Sequence, residues 1–176
     1  HYKDMQDVEF TVENNKFLDA TSPECLRMFD MNIRQDYYTD AVILSSLKRA
    51  NALKINDEEL PLLATLLEIT GSEEEQLISI LKKCNLKLAI LTCGAKGALL
   101  VTKNEVSFEV APKPEIIAST VGAGDSFTAA AIMGYLQNKK LSEINKHANA
   151  VASYVCTQTG AVPMLPEKLI KEVFSL

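Results

Sequence analysis

A chain of 176 residues is long enough for one well-packed domain and short for two. Its 47% hydrophobic content supports a folded core over disorder, and a net charge of −5 argues against nucleic acid or an anionic membrane as the main partner. Four widely spaced cysteines (Cys25, Cys84, Cys93 and Cys156), with no Cys-x-x-Cys pair and only two histidines, argue against a zinc site or a disulfide framework, and with no signal peptide or long apolar span visible the expected compartment is the cytoplasm.

Residues 1–16 are polar with scattered apolar positions and run within a few residues into the Thr21-Ser-Pro-Glu-Cys-Leu segment. From about residue 28, short β-like runs alternate with amphipathic helices, the pattern of a mostly parallel α/β sheet covered by helices. Residues 27–32 read as a strand. Thr39 can cap a helix to about Ala50, with Val42, Ile43, Ser46, Leu47 and Ala50 on one face. Residues 52–55 form the next strand, and Ser72 with Glu75 makes a capping box for a helix through Leu77, Ile80, Leu81 and Cys84. A buried strand over 86–92 follows, then a hairpin of 98–102 and 106–110 turning at Lys103-Asn104 and ended by Pro112 and Pro114. A long helix starts at Gly124 or Asp125 and runs to about Asn138. The last is capped by Ser142, carries Ile144, Ala148, Val151, Ala152 and Val155 inward, and stops before Gly160. Internal repeats and low-complexity segments are absent from the sequence.

The most informative stretch is Ser119-Thr-Val-Gly-Ala-Gly-Asp-Ser-Phe127, a small-residue turn and a carboxylate at the start of an Ala-rich helix. Gly122 and Gly124 let an anion approach bare backbone N–H groups at the positive end of the helix dipole. Asp125 beside a phosphate is electrostatically unfavourable unless it takes a proton from an attacking hydroxyl. The same residues would also serve as a plain tight turn with Asp in the first helical turn. Two other phosphate motifs are excluded: no Gly-x-x-x-x-Gly-Lys-Ser/Thr occurs, and Phe127 stands where a dinucleotide fingerprint needs a third small residue.

Thr120-Val-Gly-Ala-Gly-Asp-Ser-Phe127 resembles the C-terminal signature of the ribokinase-like (PfkB) carbohydrate kinases, which move the γ-phosphate of ATP onto a sugar hydroxyl. Other pieces resemble that family in order: Phe29-Asp-Met-Asn-Ile-Arg34, Lys54-Ile-Asn-Asp-Glu-Glu59, Leu91-Thr-Cys-Gly-Ala-Lys-Gly97, and Ala148-Asn-Ala150 before Gly160-Ala161. The resemblance spans about residues 21–166 and is most like a fructokinase.

It implies ATP and magnesium as nucleotide and cofactor, Asp125 as catalytic base, and Gly122, Ala123 and Gly124 as a backbone anion hole. Thr92, Gly94, Gly97 and Asn149 would border the nucleotide, although glycines between a strand and a hairpin also fit as turn residues and Asn149 could simply face solvent. Asn56 and Glu59 would help hold magnesium and phosphates, usually through water; the alternative is a capping box, against which Pro61 counts. Asp30, Asn32 and Arg34 alternate at one strand end, so they share a face and could meet substrate or phosphate; the alternative for Arg34 is a surface salt bridge. Ser119 and Val121 replace the family's usual Asp and frequent Thr in a loop that commonly binds a monovalent cation, so little preference for potassium over sodium is expected.

The resemblance also implies that the sugar-binding N-terminal half and most of a β lid are missing from this chain. Residues 1–20 would be a remnant of lid or linker and 21–176 the nucleotide-binding α/β domain. The expected activity is ATP-dependent phosphorylation of a sugar hydroxyl by the intact protein, which could form a homodimer, with this chain inactive alone. The alternative is a non-catalytic nucleotide-binding or interaction module derived from a sugar kinase.

Overall fold

A computed structural model describes residues 16–33 and 38–174. Five strands form one sheet in the order β1 (Met28–Asp30), β2 (Ala52–Asn56), β3 (Leu88–Thr92), β4 (Ala98–Val101) and β5 (Val106–Glu109). The β1–β2 and β2–β3 pairs are parallel and the β3–β4 and β4–β5 pairs antiparallel, so only β4 runs against the rest. The helices are α1 (Asp40–Arg49), α2 (Leu60–Leu66), α3 (Glu73–Lys83), α4 (Ala123–Leu136), α5 (Leu141–Cys156) and α6 (Glu167–Phe174).

The strands are apolar on both faces because both faces are covered. Leu53, Ile55, Ala89, Leu91, Leu99 and Val101 point into a core shared with α1, α2 and α3. Their neighbours Ala52, Leu88, Ile90, Ala98 and Leu100 pack with Phe127, Ala130 and Ala131 of α4 and with Ile144, Ala148 and Val151 of α5. Each fully buried Leu or Ile here stabilises the fold by about 1.5–3 kcal/mol relative to exposure. Helix α6 lies against α4 and α5. No helix among the described residues is long and apolar enough to cross a membrane.

The expected Thr39 cap and Ser72–Glu75 capping box are present. Two helix starts differ from the sequence reading. Helix α5 begins at Leu141 with Lys140 as N-cap, not at a cap by Ser142, because the Glu105 carboxylate reaches over from the hairpin turn and accepts the Leu141 N–H at 3.1 Å. Helix α4 starts a residue early, at Ala123, and its chain leaves at Asn138 with φ of 55°. Helix α2 starts only at Leu60, so Pro61 falls in its first turn, where a missing N–H costs nothing.

Candidate active site

The carboxyl ends of β1, β2 and β3 lie side by side, because the register pairs Asp30 with Lys54 and Asn56 with Thr92. Open α/β sheets bind ligands at that edge. The start of α4 is anchored to it. Thr128 donates its hydroxyl to Asp30 Oδ2 at 3.1 Å, while Asp30 Oδ1 accepts from the Lys54 ammonium at 3.0 Å. The Lys54 side chain is only 9% exposed, and its Nζ lies 3.7 Å from where a Cβ on Gly124 would stand. A full positive charge therefore sits close to the positive end of the α4 dipole.

Gly122 is the α4 N-cap with φ of 83°, a region L side chains rarely adopt, and a Cβ there would run into the Ala161 carbonyl. The Gly122 carbonyl accepts from both Ser126 N–H at 2.9 Å and Ser126 Oγ at 2.7 Å, which fixes the turn. Ala123 N–H is spent on a long bond to the Thr120 carbonyl, 3.3 Å. Among the described residues no carbonyl takes the N–H of Gly122, Gly124 or Asp125. Of the three expected donors, Gly122 and Gly124 thus carry open N–H groups and Ala123 does not, while the Asp125 N–H is open as well. The Asp125 side chain is exposed and makes no hydrogen bond or ion pair among the described residues.

A cleft of about 540 Å³ runs from this turn to α5, and Thr92, Gly94, Gly97, Ala123, Gly124 and Asn149 all line it. Its outer wall is the loop carrying Pro112 and Ile117, pinned to α5 where Ser153 Oγ donates to the Pro112 carbonyl at 2.9 Å and Ala118 N–H to the Cys156 carbonyl at 2.8 Å. Gly97 has φ of 115°, and a Cβ on it would strike the Glu109 carbonyl, so packing alone already requires glycine there. Asn149 is buried rather than facing solvent, 4% exposed. Cys93 adjoins the cleft; burial foremost, then the Glu73 and Asp57 carboxylates, pushes its thiol above the usual range against the opposing pull of Lys96, which keeps it protonated.

Asn56 and Glu59 hold a tight turn at the end of β2. Asn56 Oδ1 accepts from the N–H of Glu58 at 2.9 Å and of Glu59 at 2.8 Å. Glu59, 5% exposed, accepts from the N–H of Asn56 at 2.9 Å and of Ile33 at 2.7 Å, tying the chain after β1 to this turn. The reciprocal bonding is that of a capping box, though the helix begins after it. No cluster of three or more His, Cys, Asp or Glu among the described residues could hold a metal by itself. Magnesium, which keeps several waters and takes one or two carboxylates with substrate phosphates, fits such a site only through water and phosphate. Asn32 is exposed with φ of 35°, and Arg34 lies outside the described residues.

Lys54 is the charged group the sequence reading passed over; its signal was a lysine inside the apolar run Ala52–Asn56.

The chain is 34% identical over 173 residues to "Probable fructokinase-4" of Arabidopsis thaliana, covering 89% of this chain and 50% of that protein. A fructokinase from Xylella fastidiosa, solved with bound ATP, superposes with a TM-score of 0.72 at 22% identity, covering 93% of this chain and 56% of that one. A ribokinase from Thermotoga maritima gives a TM-score of 0.70 at 21% identity, with 93% and 52% covered. These likenesses show the ribokinase-like fold, and the chain spans about half the length of the relatives it matches. Residues 15–168 match the pfkB family carbohydrate kinases, and the chain belongs to that family.

Proposed function

We propose that the full-length protein carrying this chain transfers the γ-phosphate of ATP to a sugar hydroxyl, with fructose the leading acceptor, and that this chain supplies the nucleotide site and the catalytic base. The observation that carries the reading is the open N-terminus of α4: unpaired N–H groups at Gly122, Gly124 and Asp125, the Lys54 ammonium close by, and the unpartnered Asp125 carboxylate in the same turn. The fructokinase-4 likeness supports the choice of fructose.

In this mechanism the nucleoside lies in the cleft between Thr92, Gly94, Gly97 and Asn149, and the phosphates reach the first turn of α4. The N–H groups of Gly122 and Gly124, joined by Asp125 N–H, bind the transferring phosphoryl oxygens as charge builds on them. Lys54, held by Asp30, adds positive potential without touching the sugar. Asp125 orients the acceptor hydroxyl and accepts its proton as the new P–O bond forms and ADP departs. Asn56 and Glu59 would help hold magnesium through water, and the ion would supply charge neutralisation to the phosphates when bound. Asn32, just past the end of β1, is kept as a candidate for substrate or phosphate, and so, from the sequence motif alone, is Arg34.

Asp125→Asn in the full-length protein tests the reading. Turnover should fall by roughly two to four orders of magnitude, with ATP affinity held or improved because a negative charge beside the γ-phosphate is gone. A stable variant with normal turnover would reduce Asp125 to a first-turn helix residue and overturn the assignment.

A further inference from the structure

Two asparagines one helical turn apart on α5 form a directed chain of amides that ends in the cleft. Asn145 is fully buried, and its Nδ2 donates to the main-chain carbonyls of Ala98 at 3.0 Å and Ser107 at 2.9 Å. Both partners are pure acceptors, so the amide can stand only one way, with its NH2 toward the sheet and Oδ1 turned back along the helix. That oxygen accepts from Asn149 Nδ2 at 2.9 Å, and the main-chain carbonyls of Asn145 and Glu109 accept from the same nitrogen at 3.1 and 3.5 Å. The Asn149 NH2 is thereby committed. Its Oδ1 has no partner among the described residues, and it is not sealed in the core, so it looks into the cleft that Asn149 lines.

We infer that Asn145 is a positioning residue for nucleotide selection: its side chain supplies the shortest of the bonds that hold the Asn149 NH2, so that a single hydrogen-bond acceptor, never a donor, faces the base. The inference rests on the nucleotide reading of the cleft and deepens it. A base carrying an exocyclic amino group satisfies this oxygen. A base without one leaves a buried acceptor unpaired. The strand carbonyls of Ala98 and Ser107 thus act on Asn149 through Asn145, beside the Glu109 carbonyl that meets it directly. Neither the Ala98 nor the Ser107 carbonyl needs to touch the ligand.

The test measures affinity of the full-length protein for ATP and for purine riboside 5′-triphosphate, which lacks only the 6-amino group. The wild-type protein should prefer ATP by about tenfold. In Asn145→Leu, which removes the nearest acceptor of the Asn149 NH2 and leaves it only the longer bonds to the Asn145 and Glu109 carbonyls, the preference should shrink to about threefold. General loosening of the cleft would instead weaken both nucleotides together and leave the ratio intact. Because Asn145→Leu also strands two buried carbonyls, Asn149→Leu is measured beside it; this variant keeps the Asn145 bonds to the sheet and should lose the same preference. A wild-type protein that binds both nucleotides equally, or a folded variant of either kind that retains the tenfold ratio, overturns the inference while leaving the nucleotide site standing. Failure of the wild-type protein to bind either nucleotide overturns the nucleotide reading and this inference with it.

Discussion

The Lys54 ammonium and the Asp30 carboxylate meet at 3.0 Å because neighbouring parallel strands set the two residues in register. The pair is more than a strand-to-strand link, since Asp30 also takes the Thr128 hydroxyl and Lys54 approaches Gly124. It sets where α4 begins relative to the sheet, and so where the open N–H groups stand.

Lys54→Met should therefore cost about 2 kcal/mol of stability, below the full penalty for a broken buried ion pair because Asp30 retains 26% exposure. Adding Asp30→Leu should restore much of that loss by removing the stranded charge. Nucleotide affinity should stay low in both variants, since neither returns a cation to the α4 turn. Chemical denaturation and ATP titration on the same preparations separate the two effects. A double variant that regains stability and full affinity would assign Lys54 to folding alone.

Gly122 and Gly124 should respond oppositely to alanine. Gly122→Ala forces a side chain into left-handed backbone and against the Ala161 carbonyl, so it should lower stability by about 1–3 kcal/mol. Gly124 is helical, and its new methyl would meet nothing closer than Lys54 Nζ at 3.7 Å. Gly124→Ala should keep or raise the thermal midpoint, yet turnover should drop by about a hundredfold if phosphate must approach that backbone. An active Gly124→Ala protein would show that no close approach occurs there.

The layered α/β fold was legible because its elements carry two clear periods. Leu88–Thr92 is apolar on both faces, as a covered strand must be, while α3 and α5 carry stripes at helical spacing. What stayed hidden depends on partners distant in sequence. The cap of α5 comes from Glu105, 36 residues before Leu141, so the local Ser142 signal was misleading. Asn56 and Glu59 carry a local capping pattern, and their tie to Ile33 lies outside any short window. Lys54 could be placed beside the α4 turn only once Asp30 and Thr128 had been brought together across 98 residues.

The cysteines should differ in reactivity. Burial, outweighing the pull of Lys83, pushes the Cys84 thiol up, and burial with nearby carboxylates does the same for Cys93. Cys25 is exposed. The sign follows from linkage: a raised thiol keeps its proton in the folded state, so the associated stability is full below the unfolded value and lost as pH rises through the folded one. At neutral pH a thiolate-specific reagent should modify Cys25 first and leave Cys93 intact until unfolding. Rapid labelling of Cys93 in the folded protein would show that its shelter is incomplete.

The capping box of α3 gives an acid-side prediction. Glu75 is held below the ordinary carboxylate value of 4.5, first by the Ser72 backbone N–H and then by the Ser72 hydroxyl, with desolvation opposing. A depressed carboxyl stabilises the fold above its unfolded value, and the contribution fades as pH falls below 4.5 toward the folded value. Glu75→Gln should flatten this part of the acid limb, leaving the two proteins closer in thermal midpoint at low pH than at pH 7. Ser72→Ala should cost about 1 kcal/mol at neutral pH through the lost cap and should also shrink the Glu75 contribution. Thermal scans of the three proteins between pH 3 and 7 decide the matter. Parallel curves with a constant gap would mean that Glu75 holds the helix start by packing, without a titrating hydrogen bond.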